Sequence, residues 1–290
     1  MIEIGLVKIT DKKYPELLKK IGSLAPKKLY YKGNWDNEIF ENCLSVVGSR
    51  RLTSYGRRMT EKLVTEIAAA DVTIVSGFMY GGDEAAHSSA VKCGRTIAVM
   101  PCGINVIFPE YQKKLYNEIL ENNGLIISEY EGDFLPQTWS FVQRDRIVAG
   151  FSKAVFVTEA SLNSGSLITA NYAKKFGRKI FALPGQITSD VAKGTIKLIK
   201  EGAEPVMEAN DILSFYKVLV SESKIASSQA PRNDDNTLEQ KIINYLKSES
   251  MGIDSLARTL NVPASKLGTT LSLMQLKGIV NQEAGKYYVN

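Results

Sequence analysis

Three stretches of this chain carry residues suited to holding a polyanion. Val47-Gly48-Ser49-Arg50-Arg51 sets two arginines behind a glycine and a hydroxyl. Phe141-Val142-Gln143-Arg144-Asp145-Arg146 mixes an aromatic with two arginines and one acid. Glu159-Ala160-Ser161-Leu162-Asn163-Ser164-Gly165-Ser166 offers hydroxyls and a glycine. Glycine lets backbone N–H groups approach an anion, and a helix that starts there adds the positive end of its dipole. Arginine beside an aromatic ring suits a nucleic-acid strand, guanidinium to phosphate and ring to base. The same residue types also make ordinary tight turns and half-buried helix faces.

Other chemistries find less support. None of the glycine loops reads GxGxxG or GxxxxGK[ST], so neither a dinucleotide site nor a P-loop is indicated. His87 is the single histidine, with no metal-ligand spacing around it and no GxSxG elbow elsewhere. It is read as a structural hydrogen-bonding residue. No catalytic residue, metal or resident cofactor is expected.

The elements that must position these residues alternate along the middle of the chain. Apolar runs at Leu44–Val47, Val72–Val75, Thr96–Met100, Leu125–Ile127, Ala154–Val157 and Lys179–Leu183 are short and mostly rich in Val and Ile, as buried parallel strands are. Helix-like segments separate them at Tyr55–Ala69, Glu84–Cys93, Tyr111–Asn122, Phe141–Ala149 and Ser166–Phe176. Such alternation predicts an α/β domain with a parallel sheet covered on both faces. Ligands then bind beyond the carboxyl ends of the strands. The glycines that follow the strands, including Gly77, Gly81, Gly103 and Gly185, are expected to gather on that rim.

The predicted organisation is a short N-terminal segment, 1–38, packing on a core domain of 39–218, then a polar linker, 219–236, and a small domain, 237–290. The N-terminal segment holds one helix near Tyr14–Ile21 and an extended LYYKG. The last unit reads as helix Leu238–Lys247, a short helix Ser255–Leu260 capped by Asp254, helix Ala264–Lys277, and a hairpin over Ile279–Val289. That is winged-helix architecture.

Bulk numbers bound the function. The net charge of +5 permits a polyanionic partner without demanding one. Cys43, Cys93 and Cys102 form no CxxC pair and read as free structural thiols. No signal peptide or membrane-spanning run is visible, so a cytoplasmic location is expected.

The motifs follow in an order that resembles the DprA/Smf (DNA-processing protein A) family. They are Val47-Gly48-Ser49-Arg50, Ser76-Gly77 with Gly81 and Asp83-Glu84-Ala85-Ala86-His87, Phe108-Pro109, Ile127-Ser128-Glu129, Phe141 with Arg144 and Arg146, Glu159-Ala160 with Ser164-Gly165-Ser166, Thr169-Ala170, Gly177-Arg178 and Pro184-Gly185. The resemblance runs from about Thr10 to Ala209 and includes the terminal winged helix. It implies an extended Rossmann-like domain that forms homodimers, binds single-stranded DNA and loads a RecA-type recombinase in natural transformation, without catalytic turnover. It also implies that Arg50, Phe141, Arg144 and Arg146 line a DNA pocket, with Gly48, Ser49, Gly165 and Ser166 giving backbone or hydroxyl contacts.

Departures from the family pattern are Asp145 for Asn, Tyr80 for Arg, and Gln112 and Ile196 for two further asparagines. Asp145 puts a carboxylate where phosphates would come, while Tyr80 offers a ring for stacking.

Two other readings compete. The layout also resembles the "lysine decarboxylase-like" phosphoribohydrolases, but 159–169 lacks their Gly-Gly pair and trailing Glu. A duplex-DNA regulator would present Ser265, Lys266, Thr269 and Thr270 to the major groove, with Lys266 and Lys277 as the only charges of that helix.

Overall fold

The computed structural model describes residues 3–218, 238–246, 250–260, 262–276, 279–283 and 285–289. The expected linker at 219–236, together with Lys247, Asn261, Lys277, Gly278 and Ala284, lies outside the described residues, as do the side chains of Ser265 and Lys266. The contacts of the chain cluster into two units, 1–228 and 229–290.

Each apolar run forms a strand: β3 (Cys43–Val47), β4 (Thr73–Ser76), β5 (Thr96–Gly103), β6 (Leu125–Tyr130), β7 (Ala154–Val157) and β8 (Lys179–Ala182). Between them run α2 (Ser54–Ala69), α3 (Gly82–Ala90), α4 (Lys113–Glu121), α5 (Thr138–Phe151) and α6 (Gly165–Lys175). The chain adds β1 (Gly5–Lys8), a short α1 (Glu16–Lys19) and β2 (Lys28–Gly33) before them, and α7 (Lys193–Lys200), β9 (Glu204–Pro205) and α8 (Ala209–Tyr216) after.

The sheet order is β1-β2-β6-β5-β4-β3-β7-β8-β9. From β6 to β9 all neighbours are parallel. The N-terminal residues go beyond packing on this core. β2 pairs antiparallel with β6, placing Tyr30 opposite Ser128, and β1 extends the edge.

Side chains alternate across the sheet, as strand geometry requires. Val47, Val75, Val155 and Val157 face one apolar layer with Ile147 and Ala170 of α5 and α6. Leu44, Val46, Ile74 and Phe156 face the other with Leu63, Ile67 and Ile212 of α2 and α8. The chain winds outward from β3 to β6, then returns to place β7 on the other side of β3. This reversal opens a crevice at the carboxyl ends of β3 and β7, where open α/β sheets bind ligands.

The second unit has a three-stranded sheet, β10 (Met251–Gly252), β12 (Lys286–Val289) and β11 (Val280–Glu283), in that order. Its helices are α9 (Leu238–Leu246), α10 (Ile253–Leu260) and α11 (Ala264–Leu276). Ile242, Leu256, Leu267, Leu271, Met274 and Val280 form its core. The winged-helix expectation holds, with one correction. Asp254 is the second residue of α10 and does not cap it from outside.

Candidate nucleic-acid interface

A cleft of about 540 Å³ opens at the switch point between β3 and β7. Its walls come from the loop after β3, the loop after β4, the first half of α5 and the start of α6. Of the expected site residues, Gly48, Ser49, Arg50, Phe141, Arg144, Gly165 and Ser166 all line it.

The loops are built for close approach. Gly48 and Gly82 pass so tightly that a Cβ on Gly82 would lie 2.6 Å from the Gly48 Cα. Ser49 spends its backbone carbonyl on the Gly82 N–H at 3.1 Å. Its hydroxyl accepts the Arg51 N–H at 3.0 Å. The start of α2 is bolted to the end of β7. Thr53 donates its N–H and its hydroxyl to the two Glu159 carboxylate oxygens, at 2.8 and 2.6 Å. Glu159 is thus engaged as a structural acceptor. Ser164 caps α6, its hydroxyl accepting the Ser166 N–H at 3.4 Å and its carbonyl the Leu167 N–H at 3.1 Å, and Gly165 and Ser166 at the positive end of the helix dipole line the cleft.

Arg50 is exposed, and its guanidinium lies 5.6 Å from the Tyr80 ring centre and 5.3 Å from that of Phe141. A cation over two rings is held without losing its charge, leaving it free for a phosphate. Tyr80 is 41% exposed. Phe141 is half-buried, with its ring meeting Phe108 at 5.9 Å.

Arg144 behaves differently. It is only 4% exposed, its guanidinium fills the space where a side chain on Gly77 would go, and its Nε is buried without a hydrogen-bond partner. Its Nη1 stands 3.7 Å from the Asp145 carboxylate. Two acids share this floor, Asp83 and Asp145. Burial pushes the Asp145 carboxyl up to about 7, against the pull of Arg144 and with added repulsion from Asp83. Burial raises Asp83 as well, opposed by Arg144 and by the Met79 N–H that it accepts at 3.3 Å.

The structure separates Arg146 from this group. Phe141 and Arg146 are five positions apart on α5, about 140° around a helix of 3.6 residues per turn. Arg146 turns away from the cleft, donating to Glu129 at 2.6 Å and to the Gln143 carbonyl at 2.7 Å. The same period identifies what motif reading missed. Thr138 and Val142 line the cleft on the side of Phe141, together with Asp145, which the family motif itself places near the phosphates.

Two of the glycines at the carboxyl ends of the strands do not line the cleft. Gly103 is the last residue of β5, which runs three residues further than expected, and packs on the Gly132 and Phe134 backbone, while Gly185 packs against Ala192. Gln112 is buried and Ile196 half-buried, and neither lines the cleft. His87 is fully buried, with its Nδ1 2.7 Å from the Thr96 hydroxyl. Burial lowers its pKa to about 3. No cluster of metal-ligating side chains occurs among the described residues. No helix among them is long and apolar enough to cross a membrane.

Comparison with known proteins agrees with this geometry. The family model for DNA recombination-mediator protein A matches residues 5–217, and that for the DprA winged helix domain matches 226–286. Protein Smf from Synechocystis is 32% identical, covering 96% of this chain and 78% of its own length. DNA processing protein DprA from Streptococcus pneumoniae is 39% identical over 72% of this chain and 73% of its own. The X-ray structure of DNA processing protein A (DprA) from Streptococcus pneumoniae superposes with a TM-score of 0.69 at 38% identity, over 73% of this chain and 74% of the other. DNA processing protein A from Helicobacter pylori, a protein solved for its single-stranded DNA binding mode, gives 0.66 at 31% identity over 74% and 96%. With its core and its terminal domain both matched, the chain belongs to the DNA recombination-mediator protein A family, DprA/Smf.

Proposed function

We propose that this chain binds single-stranded DNA in the switch-point cleft, delivers the strand to a RecA-type recombinase as a homodimer, and does so without catalytic turnover. The observation that carries the reading is Arg50, an exposed cation held between the rings of Tyr80 and Phe141 at the mouth of a cleft whose rear wall is the start of α6. Phosphate meets a guanidinium and helix N–H groups, while a base meets an aromatic face. The Helicobacter pylori relative, whose single-stranded DNA binding mode is known, supports the same assignment. The recombination-mediator family description supports the delivery step.

Fluorescence anisotropy with a single-stranded oligonucleotide over a salt series tests it. Affinity should fall with salt at a log–log slope of about −0.7 per phosphate contacted. Arg50→Ala should weaken binding about tenfold or more, as loss of a charge-assisted contact does. Binding that ignores salt, or that prefers duplex, would refute the reading.

A further inference from the structure

Asp145 stands in the cleft without a hydrogen-bond partner. It lies one helical turn beyond Phe141 on α5, so the two side chains share a face, and both line the cleft. Its side chain is 14% exposed. The nearest cation, Arg144 Nη1, is 3.7 Å away, beyond hydrogen-bonding length. Among the described residues no donor lies within bonding distance of its oxygens. Its oxygens face the cleft, so a ligand there that supplies N–H groups meets an acceptor no protein donor has taken.

The chemistry of a DNA strand narrows what can supply them. Phosphate and sugar oxygens are acceptors, and phosphate is repelled by a carboxylate. The donors are on the base edges. With Asp145 one turn on from Phe141 along the same helix and cleft wall, its carboxylate is placed to meet the edge of a base that lies on the Phe141 ring. Guanine presents two adjacent N–H donors that match the two oxygens of a carboxylate. Cytosine and adenine present one amino group each, whereas thymine has a single N–H between two carbonyls that a carboxylate repels.

We propose that Asp145 reads the base seated on Phe141, favouring guanine most and thymine least. This rests on the single-strand reading of the cleft. The charged groups facing Asp145 are Arg144 from its own helix, Asp83 from the start of α3 and Arg50 from the loop after β3. His87, behind Arg144, stays neutral down to about pH 3. Burial pushes the carboxyl of Asp145 up to about 7, so above that pH both oxygens accept N–H groups, and below it one becomes an O–H donor and the paired acceptor is lost.

The test uses the full chain and thymidine oligonucleotides of about 15 nucleotides, within the range of single-strand site sizes. One has only thymine and one carries a single central guanine. At about pH 8.5 the wild type should bind the guanine strand about tenfold more tightly. At about pH 6 the preference should shrink to about twofold as the carboxyl takes up its proton. Asp145→Asn should bind the all-thymine strand more tightly than wild type, because no carboxylate then faces the phosphates, and should lose the preference. Asp145→Ala should lose it too, and thermal melts of both variants establish that they are folded. Equal wild-type affinity for the two strands, or a guanine preference that survives in Asp145→Asn, overturns the inference. If the all-thymine strand binds with the expected salt and Arg50 dependence but no preference appears, base reading alone is wrong. If neither strand binds, the single-strand reading falls and takes this inference with it.

Discussion

Three arginines that look alike in the sequence have three different jobs in the fold. Arg50 is exposed and free to meet a ligand, Arg144 is a buried strut against Gly77, and Arg146 is half of an ion pair with Glu129. Both side chains of that pair are largely buried, at 9% and 19% exposure. Removing one partner strands the other charge, which costs about 3 kcal/mol. Arg146→Ala should therefore shift the urea unfolding midpoint strongly while folded protein keeps its strand affinity, the reverse of Arg50→Ala. A variant that melts like wild type yet fails to bind would put Arg146 back in the DNA site. The acids make a second prediction at this scale. Asp145 is raised to about 7, and Asp83 is raised too, above an unfolded value near 3.9. The native state thus binds more protons than the unfolded chain between about pH 4 and 7. The stabilisation this gives is full at low pH and is lost as pH rises through 7. His87, lowered to about 3, acts with the opposite sign below its unfolded value near 6.5. The difference in stability between Asp145→Asn and wild type isolates the first effect. It should favour the variant increasingly up to about pH 7 and then level off, as read by urea melts across pH. A difference independent of pH would mean that Asp145 is not carrying that proton.

At the scale of elements, the loop from β4 to α3 and the start of α6 show how glycine can serve structure or ligand. In the first, Phe78 adopts a left-handed φ of 59° with its ring fully buried near His87 and Tyr116, and Gly81 follows at 84°. Gly77 in this loop abuts the Arg144 guanidinium, so any added methyl displaces a buried cation. Gly165 opens α6 with ordinary φ and nothing within 4 Å of a would-be Cβ. Gly77→Ala should lower stability by about 1–3 kcal/mol through overpacking. Gly165→Ala should leave stability unchanged or slightly raised, since Ala is the better helix former. It should still weaken strand binding, because its methyl stands where a phosphate approaches the N–H groups. Thermal melts and anisotropy on both variants check this pair. A Gly165→Ala protein that binds as wild type would remove the α6 start from the interface.

For the whole molecule, the cleft and all its walls belong to the first unit, 1–228. That unit contains both faces of the nine-stranded sheet and their cores, and Val218, its last described residue, packs on the α2 side. A chain ending at Ser228 should fold, by circular dichroism, and bind a single strand with an affinity close to that of the full chain. The second unit has a small core of its own around Leu256 and Leu271. If 1–228 is folded but inert and 229–290 binds alone, the site has been assigned to the wrong unit.

The sequence by itself determined the class of fold, the family and most of the cleft, because these depend on local pattern. Strand runs such as Ala154–Val157 show their burial in composition, and glycines after strands show where the chain turns. The shared face of Thr138, Phe141, Val142 and Asp145 was also legible, since helical period alone sets it. Tertiary structure decided what each charge does. Arg146 meets Glu129 from β6, seventeen positions away, and Arg144 meets Gly77 from the loop after β4. It also decided that β1 and β2 join the sheet, and that Gly103 packs on the backbone of Gly132 and Phe134 rather than lining the cleft. A side chain's face is written in the spacing of its own helix. Its partner is supplied by another element, and whether a cation is spent on a neighbour or left for a ligand depends on that partner.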